Sequence, residues 1–484
     1  MRGGARAGTG AGRAARRAPA AAILAATTFL LPGPPPAEAK TERPGRVFIF
    51  SGATGLLIRA VDAPDPRKRG WFGASLAGIG DTDADGVPDL AVGAPRLADS
   101  GLSSAGMVYV FSGADGTLLL SVASPDPGRK ARFGWSLAPA GDVDADGAGD
   151  FVAGSPSARP PGQPRSGGAW LLSGNDGSVL SAFVPPVPYA DSQFGYSLAA
   201  GGDADGDGME EVLVGAPKQR VKGRREQGRV HHFDSLGTPL GYFDDPERQA
   251  DARFGASLSF MPDTDGDGFD EILVGADGQH VFSGDYSGGV FILRATDPSD
   301  PVIGMRTARP PSERANFGFA VAGLPDLNGD GMGDLAATAP DQTGSASLTG
   351  GAWTVSGEPD NPATNDDSIY VLLQVDDPEP HRFALFGGAL AALGDLTGDG
   401  LPELLIGSEL HRDGAGFRSG RAYVIEAASG GLLFTVPSPT GDSCSRFGWS
   451  VASVGDVDGD SVSDFAVGAP RHRTAVRSIA SRCF

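Results

Sequence analysis

The sequence predicts an all-β protein, a seven-bladed β-propeller whose blades are four-stranded antiparallel sheets. Three observations support this: a motif that recurs seven times, four apolar segments per repeat, and chain ends that complement each other. The motif is a Phe-Gly pair followed nine residues later by an aspartate-rich loop, DxDxDGxxD. A period of 60 to 69 residues indicates one structural unit repeated in an array or ring. The pairs begin at Phe72, Phe133, Phe194, Phe254, Phe317, Phe386 and Phe447.

Each repeat contains four segments with the alternating or wholly apolar pattern of β-strands, named A to D in chain order. In the first repeat they cover 74–80, 88–93, 107–112 and 117–123. The aspartate-rich loop joins A to B, and a glycine-containing turn joins C to D. Four antiparallel strands per unit, repeated in a circle, are typical of propeller blades.

The two ends of the chain predict how the ring closes. Residues 45–61 have the pattern of a C–D hairpin with no A–B pair before it. After the last Gly-Ala-Pro triplet, 468–470, only fourteen residues remain, and they lack a C–D pattern. We therefore expect the N-terminal hairpin to complete the last blade, which removes two exposed sheet edges.

The N-terminus predicts export. Residues 1–39 contain five Arg, an apolar stretch over 18–31 and a small-residue cleavage site, which is typical of a secretory signal peptide. An uncleaved membrane anchor is the alternative, but the apolar stretch is short for a membrane span. We expect a secreted protein with the propeller over 40–484. The only cysteines, Cys444 and Cys483, fit an oxidising compartment as one possible bridge.

The aspartate-rich loops predict calcium sites. Ca²⁺ prefers six to eight oxygen ligands, which loop positions 1, 3, 5 and 9 supply from side chains and position 7 from its carbonyl. An EF-hand is excluded because it needs an acid at position 12, where loop 1 has Val92. The predicted ligands, for up to seven Ca²⁺ ions, are Asp81, Asp83, Asp85 and Asp89 in loop 1; Asp142, Asp144, Asp146 and Asp150 in loop 2; Asp203, Asp205, Asp207 and Glu211 in loop 3; Asp263, Asp265, Asp267 and Glu271 in loop 4; Asp326, Asn328, Asp330 and Asp334 in loop 5; Asp395, Thr397, Asp399 and Glu403 in loop 6; and Asp456, Asp458, Asp460 and Asp464 in loop 7.

Two loops depart from the pattern. Thr397 removes a negative charge from loop 6, so we expect this loop to bind most weakly. Ser461 stands in loop 7 where the other loops have a glycine suited to left-handed backbone geometry, so we expect strain there.

The repeats resemble FG-GAP repeats, which build the N-terminal propeller of integrin α subunits and of related secreted bacterial proteins. The resemblance covers residues 45–470 and implies a propeller with calcium-binding loops. In animal integrins such loops typically occupy only some blades, whereas here every blade has one. The leg domains and membrane helix of an integrin α chain have no counterpart, so the resemblance does not imply receptor status.

Strand alternation places the A–B loops and C–D turns on one face of the disc and the B–C and D–A connections on the other. No Lys or Arg occurs in the seven loops, while basic residues cluster in the connections, as at Lys218 to Arg225. The longest D–A connection is predicted at 294–316. The net charge of −21 argues against nucleic acid as a partner. The basic connections indicate either solvated surface charge or a site for a protein carboxylate or an acidic glycan.

The sequence favours an interaction or adhesion module over an enzyme. It contains no GxSxG, HExxH or phosphate-loop motif, and its six histidines stand outside any known catalytic pattern. The alternative is a calcium-dependent enzyme acting on polysaccharides, such as a uronate lyase. Such an enzyme needs a metal close to a basic residue, whereas the predicted loops lie on the other face.

Overall fold

A computed structural model of the chain describes residues 43–66, 69–280, 286–297, 299–308, 314–343, 348–359, 370–414 and 416–473. The predicted signal peptide, 1–39, lies outside these residues. Within them the chain forms 28 β-strands, which assemble into seven four-stranded antiparallel sheets. The predicted seven-bladed propeller is therefore confirmed.

The blades are numbered by their Phe-Gly pairs. The N-terminal hairpin is β1 (Arg46–Phe50) and β2 (Leu57–Asp62). Blade 1 is β3 (Ser75–Gly80), β4 (Asp89–Gly93), β5 (Met107–Phe111) and β6 (Leu118–Ala123); blade 2 is β7 (Leu137–Pro139), β8 (Phe151–Ser155), β9 (Gly168–Leu172) and β10 (Val179–Phe183); blade 3 is β11 (Leu198–Gly202), β12 (Glu211–Ala216), β13 (Arg229–Asp234) and β14 (Pro239–Asp244). Blade 4 is β15 (Ser257–Met261), β16 (Glu271–Ala276), β17 (Gly289–Leu293) and β18 (Val302–Arg306); blade 5 is β19 (Val321–Leu324), β20 (Asp334–Ala339), β21 (Gly351–Ser356) and β22 (Val371–Asp376); blade 6 is β23 (Phe386–Ala392), β24 (Glu403–Ser408), β25 (Arg421–Glu426) and β26 (Leu432–Pro437). Blade 7 contains β27 (Ser450–Gly455) and β28 (Asp464–Ala469).

The N-terminal hairpin supplies the missing strands of blade 7. Strand β1 pairs antiparallel with β28, from Arg46 opposite Ala469 to Phe50 opposite Phe465. The sheet order is β2-β1-β28-β27, so β1 and β2 occupy positions C and D. The ring closes as the chain ends predict.

The hydrophobic core lies between the blades. The buried apolar side chains form seven clusters in the described chain, and each cluster combines residues of two neighbouring blades. Every cluster contains the phenylalanine of one Phe-Gly pair, and all seven of these rings are at most 1% exposed. The aromatic rings therefore wedge between blades and hold the ring together by apolar burial.

Backbone contacts reinforce each junction. The Phe of every Phe-Gly pair forms a parallel bridge with the glycine that precedes strand C of the previous blade, as between Gly45 and Phe72. A side chain on Gly45 would place its Cβ 2.1 Å from the Phe72 carbonyl oxygen. Five junctions add a serine hydrogen bond. At the closing junction, the Ser450 hydroxyl donates to the Gly73 carbonyl at 2.8 Å.

The prediction of a long D–A connection at 294–316 is wrong. Strand β17 ends at Leu293 and β18 begins at Val302, so 294–301 is the C–D turn of blade 4. The sequence Val302–Arg306 is a short apolar segment beside several prolines, which obscures its strand pattern.

Cys444 is disulfide-bonded. The only other cysteine in the sequence, Cys483, lies outside the described residues. The bond fits the oxidising compartment expected from the N-terminus.

Removing the closing hairpin should open the ring. A chain that starts at Ala63 lacks β1 and β2, which exposes the edge of β28 and removes Val47, Ile49 and Val61 from the blade 7–blade 1 core. We expect loss of cooperative thermal unfolding and formation of soluble aggregates, measured by calorimetry and size-exclusion chromatography. A chain that starts at Lys40 is the control and should melt as the full chain does. Equal melting of the two truncations would contradict closure by the hairpin.

Candidate metal centres

The aspartate-rich loops and the C–D turns lie together at one end of the strands, here called the Asp face. The position-9 carboxylates show this directly, because several of them accept a hydrogen bond from the C–D turn of their own blade. Asp89 Oδ1 accepts from the Gly113 amide at 2.9 Å, and Asp150 Oδ1 accepts from the Gly174 amide at 3.0 Å. The B–C and D–A connections lie at the other end, here called the opposite face.

Every loop wraps its backbone around the position-1 carboxylate. In all seven loops this carboxylate accepts a hydrogen bond from the amide at position 6, at 2.7 to 3.1 Å. The hydrogen bonds from Gly331 and Gly400 are the largest cause that lowers the pKa of Asp326 and Asp395, respectively. The loop geometry therefore favours charged carboxylates at position 1.

At least five of the seven loops bring three or more carboxylates together, with one oxygen of each within 4.8 Å of the others. Loop 4 assembles all four predicted ligands, and loops 1, 2, 3 and 6 assemble three each. Such sets of hard oxygen donors fit a divalent cation of the calcium type. The groups are Asp81, Asp83 and Asp85; Asp142, Asp144 and Asp146; Asp203, Asp205 and Glu211; Asp263, Asp265, Asp267 and Glu271; and Asp395, Asp399 and Glu403.

The position-9 carboxylate has a second role that the sequence pattern does not reveal. It is at most 1% exposed in all seven blades and accepts a hydrogen bond from the amide at position 2. Burial raises the pKa of Glu271 to about 7 and that of Asp334 to about 6. A buried carboxylate with a raised pKa gains from a nearby cation, because the positive charge offsets the desolvation of the anion.

The length of the position-9 side chain decides whether it reaches the other ligands. Glu211, Glu271 and Glu403 belong to the assembled groups, whereas Asp89 and Asp150 do not belong to those of loops 1 and 2. The shorter aspartates remain beneath the loop and hold the C–D turn.

Loop 4 contains a basic neighbour that sequence reasoning missed. Arg294, in the C–D turn of blade 4, places Nη1 3.1 Å from Oδ2 of Asp265, whose side chain is 7% exposed. In the same turn the Thr296 hydroxyl donates to Asp267 Oδ2 at 2.7 Å. The separation of basic residues from the Asp face is therefore incomplete. Arg294 can be assigned to the C–D turn, and so to the Asp face, only when Val302–Arg306 is recognised as a strand.

Left-handed backbone geometry occurs at two positions of each loop. Ser461 has φ +68°, which confirms the expected strain in loop 7. Position 4 is also left-handed, and there Ala84 and Ala145 have φ of +62° and +58°, whereas loops 3 to 7 have glycine. The glycine that recurs at position 4 of loops 3 to 7 could have indicated from the sequence that this position is left-handed.

The buried histidines are structural. Burial lowers the pKa of His231 to about 3 and those of His411 and His472 to about 4, so these rings are neutral at pH 7. The ring of His231 packs 5.1 Å from that of Phe194. His232, on the other side of the strand, places Nε2 2.7 Å from Oε2 of Glu211 and so supports loop 3.

The fold and the loops define a propeller in which each blade carries an acidic loop at the same place. The model of the FG-GAP repeat family matches residues 72–111, 133–172, 194–233 and 447–477, and each match begins at a Phe-Gly pair. Four of the seven repeats therefore match the FG-GAP repeat, in agreement with the resemblance seen in the sequence.

Several integrin α chains are similar in sequence. Integrin alpha-PS2 of Drosophila melanogaster is 32% identical over 227 residues, 45% of this chain and 15% of that protein. Integrin alpha-4 of Xenopus laevis is 31% identical over 186 residues, 36% of this chain and 17% of that protein. Integrin alpha-IIb of Mus musculus is 35% identical over 157 residues, 30% of this chain and 15% of that protein. The chain thus spans only a small part of the length of these relatives.

Relief of the strain in loop 7 should be measurable. We expect Ser461→Gly to be more stable than Ser461→Ala by about 0.5–1 kcal/mol, because both lose the hydroxyl and only glycine adopts positive φ at low cost. Denaturant unfolding in excess chelator measures this without a contribution from metal. Equal stability of the two variants would show that the positive φ costs nothing at this position.

Proposed function

We propose that this chain is a secreted, calcium-binding propeller that acts as an extracellular interaction or adhesion module for a protein or an acidic glycan. The observation that carries the proposal is the seven-fold repetition of one acidic loop geometry on the Asp face of a rigid ring. Loops that project from a rigid scaffold are the usual means of ligand recognition. The disulfide bond of Cys444 and the signal-peptide pattern of residues 1–39 support an extracellular location. Within the described residues, no helix is long and apolar enough to cross a membrane.

The donor sets support calcium as the resident ion. Carboxylates at positions 1, 3 and 5 supply hard oxygens, a glutamate at position 9 adds another, and the position-7 carbonyl completes the type of set that Ca²⁺ prefers. Loops 5 and 6 have three carboxylates each, but loop 5 offers the Asn328 amide oxygen at position 3 where loop 6 offers only the Thr397 hydroxyl, so the affinity of loop 6 should be the lowest. The ions would also neutralise repulsion within a chain of net charge −21.

The opposite face is the better candidate for ligand binding. On the Asp face the loops and turns are committed to hydrogen bonds with each other, whereas the connections on the opposite face carry exposed basic side chains. Within the Lys218–Arg225 segment, Lys218 is 4.0 Å from Glu226 and Arg225 is paired with Asp251 at 3.0 Å. Arg220, Lys222 and Arg224 are exposed. This segment is therefore less basic than its sequence indicates.

The face assignment also bears on the lyase alternative. The carboxylate groups lie on the Asp face, and the exposed basic residues of the 218–225 segment lie on the opposite face. Arg294, the basic residue beside loop 4, is already paired with Asp265 at 3.1 Å. A lyase that neutralises a uronate with calcium needs both within reach of one sugar. The geometry thus favours a binding module.

Removal of calcium should destabilise the fold. A ligand that binds only the native state stabilises it by mass action, and several sites add together. We expect excess EDTA to lower the Tm by on the order of 10 °C, and Ca²⁺ to restore it. The double variant Asp263→Asn/Asp267→Asn, in the most complete site, should lose part of this difference. Glu247→Gln, an exposed residue of the opposite face, is the matched control. An unchanged melting curve in EDTA would rule out structural calcium.

Binding of an acidic glycan should depend on charge. We expect immobilised acidic polysaccharide to retain the protein at low salt, with affinity falling at high salt, because exposed charges are screened. Neutral polysaccharide of the same backbone is the control. Interferometry that detects retention of neither polysaccharide, together with no binding to carboxylate-bearing protein, would contradict the interaction role.

A further inference from the structure

A cavity of about 260 Å³ opens on the propeller axis at the opposite face. Its lining includes Trp71, Trp135, Phe319 and Trp449, which come from four different blades. Each of these residues adjoins the Phe-Gly pair of its blade, at the start of the innermost strand. The junctions that hold the blades together therefore also bring these rings to the axis. This cavity is called the axial pocket.

Guanidinium groups cover the rings of the axial pocket. The Arg96 guanidinium carbon lies 3.5 Å from the centre of the Trp71 ring, a close cation–π contact. Three further arginines approach the tryptophans at 4.9 to 5.4 Å. These contacts are Arg132 with Trp135, Arg446 with Trp449, and Arg471 with Trp71.

The arginines around the axial pocket outnumber the carboxylates that pair with them. Arg446 is paired with Glu409 at 3.2 Å, and Arg253, close by in blade 4, is paired with Asp277 at 2.9 Å. Glu409 lines the pocket itself, as does a second acid, Asp341, which accepts a hydrogen bond from the Asn316 amide at 2.7 Å.

By contrast, Arg96, Arg132 and Arg471 form no ion pair with any carboxylate in the part of the chain that the structure describes. Burial lowers the pKa of Arg96, and the charges of Arg132, Arg471 and Arg446 lower it further. Four arginines around the pocket, Arg96, Arg132, Arg446 and Arg471, thus outnumber the two carboxylates of its lining, Glu409 and Asp341.

Backbone strain surrounds the same pocket. The residue before each Phe-Gly pair is left-handed in all seven blades, with φ between +57° and +65°, and none is glycine. This geometry costs a residue with a side chain about 1 kcal/mol or more. Trp71 and Leu385 line the pocket, and glycine at either position would remove the strain together with a lining side chain. The seven left-handed residues are Trp71, Arg132, Gln193, Arg253, Asn316, Leu385 and Arg446.

The chemistry of the pocket defines its ligand. A cation is disfavoured, because the protein's own guanidinium groups already cover the aromatic faces. A carboxylate suits the planar, bidentate donors of arginine, and the apolar face of a sugar ring suits packing against indole. The volume is below the roughly 300 Å³ at which drug-sized pockets begin, so a single ring-sized unit fits. A uronic acid residue combines both features in one unit.

Building on the proposed function, we propose that the axial pocket binds a uronate unit of an acidic polysaccharide. Trp71, Trp135 and Trp449 pack against the sugar ring, and Arg96, Arg132 and Arg471 hold its carboxylate. The proposal names both the site and the ligand class of the interaction module.

Tryptophan fluorescence tests the proposal directly. Three of the five tryptophans are in the pocket, while Trp170 and Trp353 are 7% and 1% exposed and report on the core. Titration of the calcium-loaded protein with trigalacturonate should change the emission and saturate, and neutral maltotriose should not. Arg96→Gln/Arg132→Gln should weaken the affinity at least about tenfold, since each loses a charge-assisted hydrogen bond. Trp135→Ala should weaken it while reducing the emission change.

Matched controls separate the site from the general function. Arg220→Gln/Lys222→Gln/Arg224→Gln removes three exposed charges from the same face and should leave the trigalacturonate affinity within about twofold. The Tm of each variant, measured in calcium, shows that it folds. Arg96→Lys/Arg132→Lys keeps the positive charges but loses the planar, bidentate guanidinium groups. Its affinity for trigalacturonate should therefore lie between that of the unchanged protein and that of the Arg96→Gln/Arg132→Gln variant.

Three results would overturn the proposal. Trigalacturonate that binds the pocket variants normally but not the 220–224 variant would place the acidic-glycan site outside the axial pocket, and the interaction role would stand. A carboxylate-bearing peptide that binds in an Arg96- and Arg132-dependent manner, with no response to trigalacturonate, would assign the pocket to a protein partner and reject the sugar. If neither trigalacturonate nor the carboxylate-bearing peptide binds, the pocket proposal is rejected. The calcium dependence of the Tm still tests the calcium-binding part of the proposed function.

Discussion

The whole ring depends on the close approach of two backbones at each junction between blades. The glycine before strand C of one blade bridges the Phe of the next blade's Phe-Gly pair, with no room for a side chain between them. The Phe ring then fills the apolar layer between the two sheets. Because every blade forms the same junction, the closing hairpin of β1 and β2 needs no special interface. Ser450 and Gly73 simply repeat the hydrogen bond that joins blade 1 to blade 2.

The same junctions explain why so much of the fold could be predicted. A motif with a strict period fixes the number of blades, and complementary chain ends fix the closure, because both are properties of sequence spacing alone. Strand β18 was missed because its short apolar segment lies among prolines. The hydrophobic pattern there does not mark where the strand begins and ends. The glycines before strand C repeat as regularly as the Phe-Gly pairs. Their role depends on contact with another blade, which spacing within one repeat does not reveal.

The metal loops were predictable in composition and less so in geometry. Ligand types at positions 1, 3, 5 and 9 follow from the preference of calcium for oxygen. The structure adds that position 9 is buried and anchors the loop, and that Glu reaches the carboxylate group where Asp89 and Asp150 do not. Arg294 enters loop 4 from a turn 27 residues after Asp267, a contact that depends on the pairing of β16 with β17. Such contacts between segments distant in sequence cannot be read from the motif.

The two faces of the disc differ because the constraints on them differ. On the Asp face each loop must satisfy its own carboxylates, so its residues vary little from blade to blade. On the opposite face the junction fixes only the Phe-Gly backbone and leaves the adjoining side chains free to differ. They range from Trp71 and Arg132 to Asn316 and Leu385, although all share the same left-handed geometry. A ring of equivalent backbone positions with unequal side chains is a means of building one asymmetric pocket from a symmetric scaffold, and this is the structural basis on which we propose the axial pocket as the ligand site.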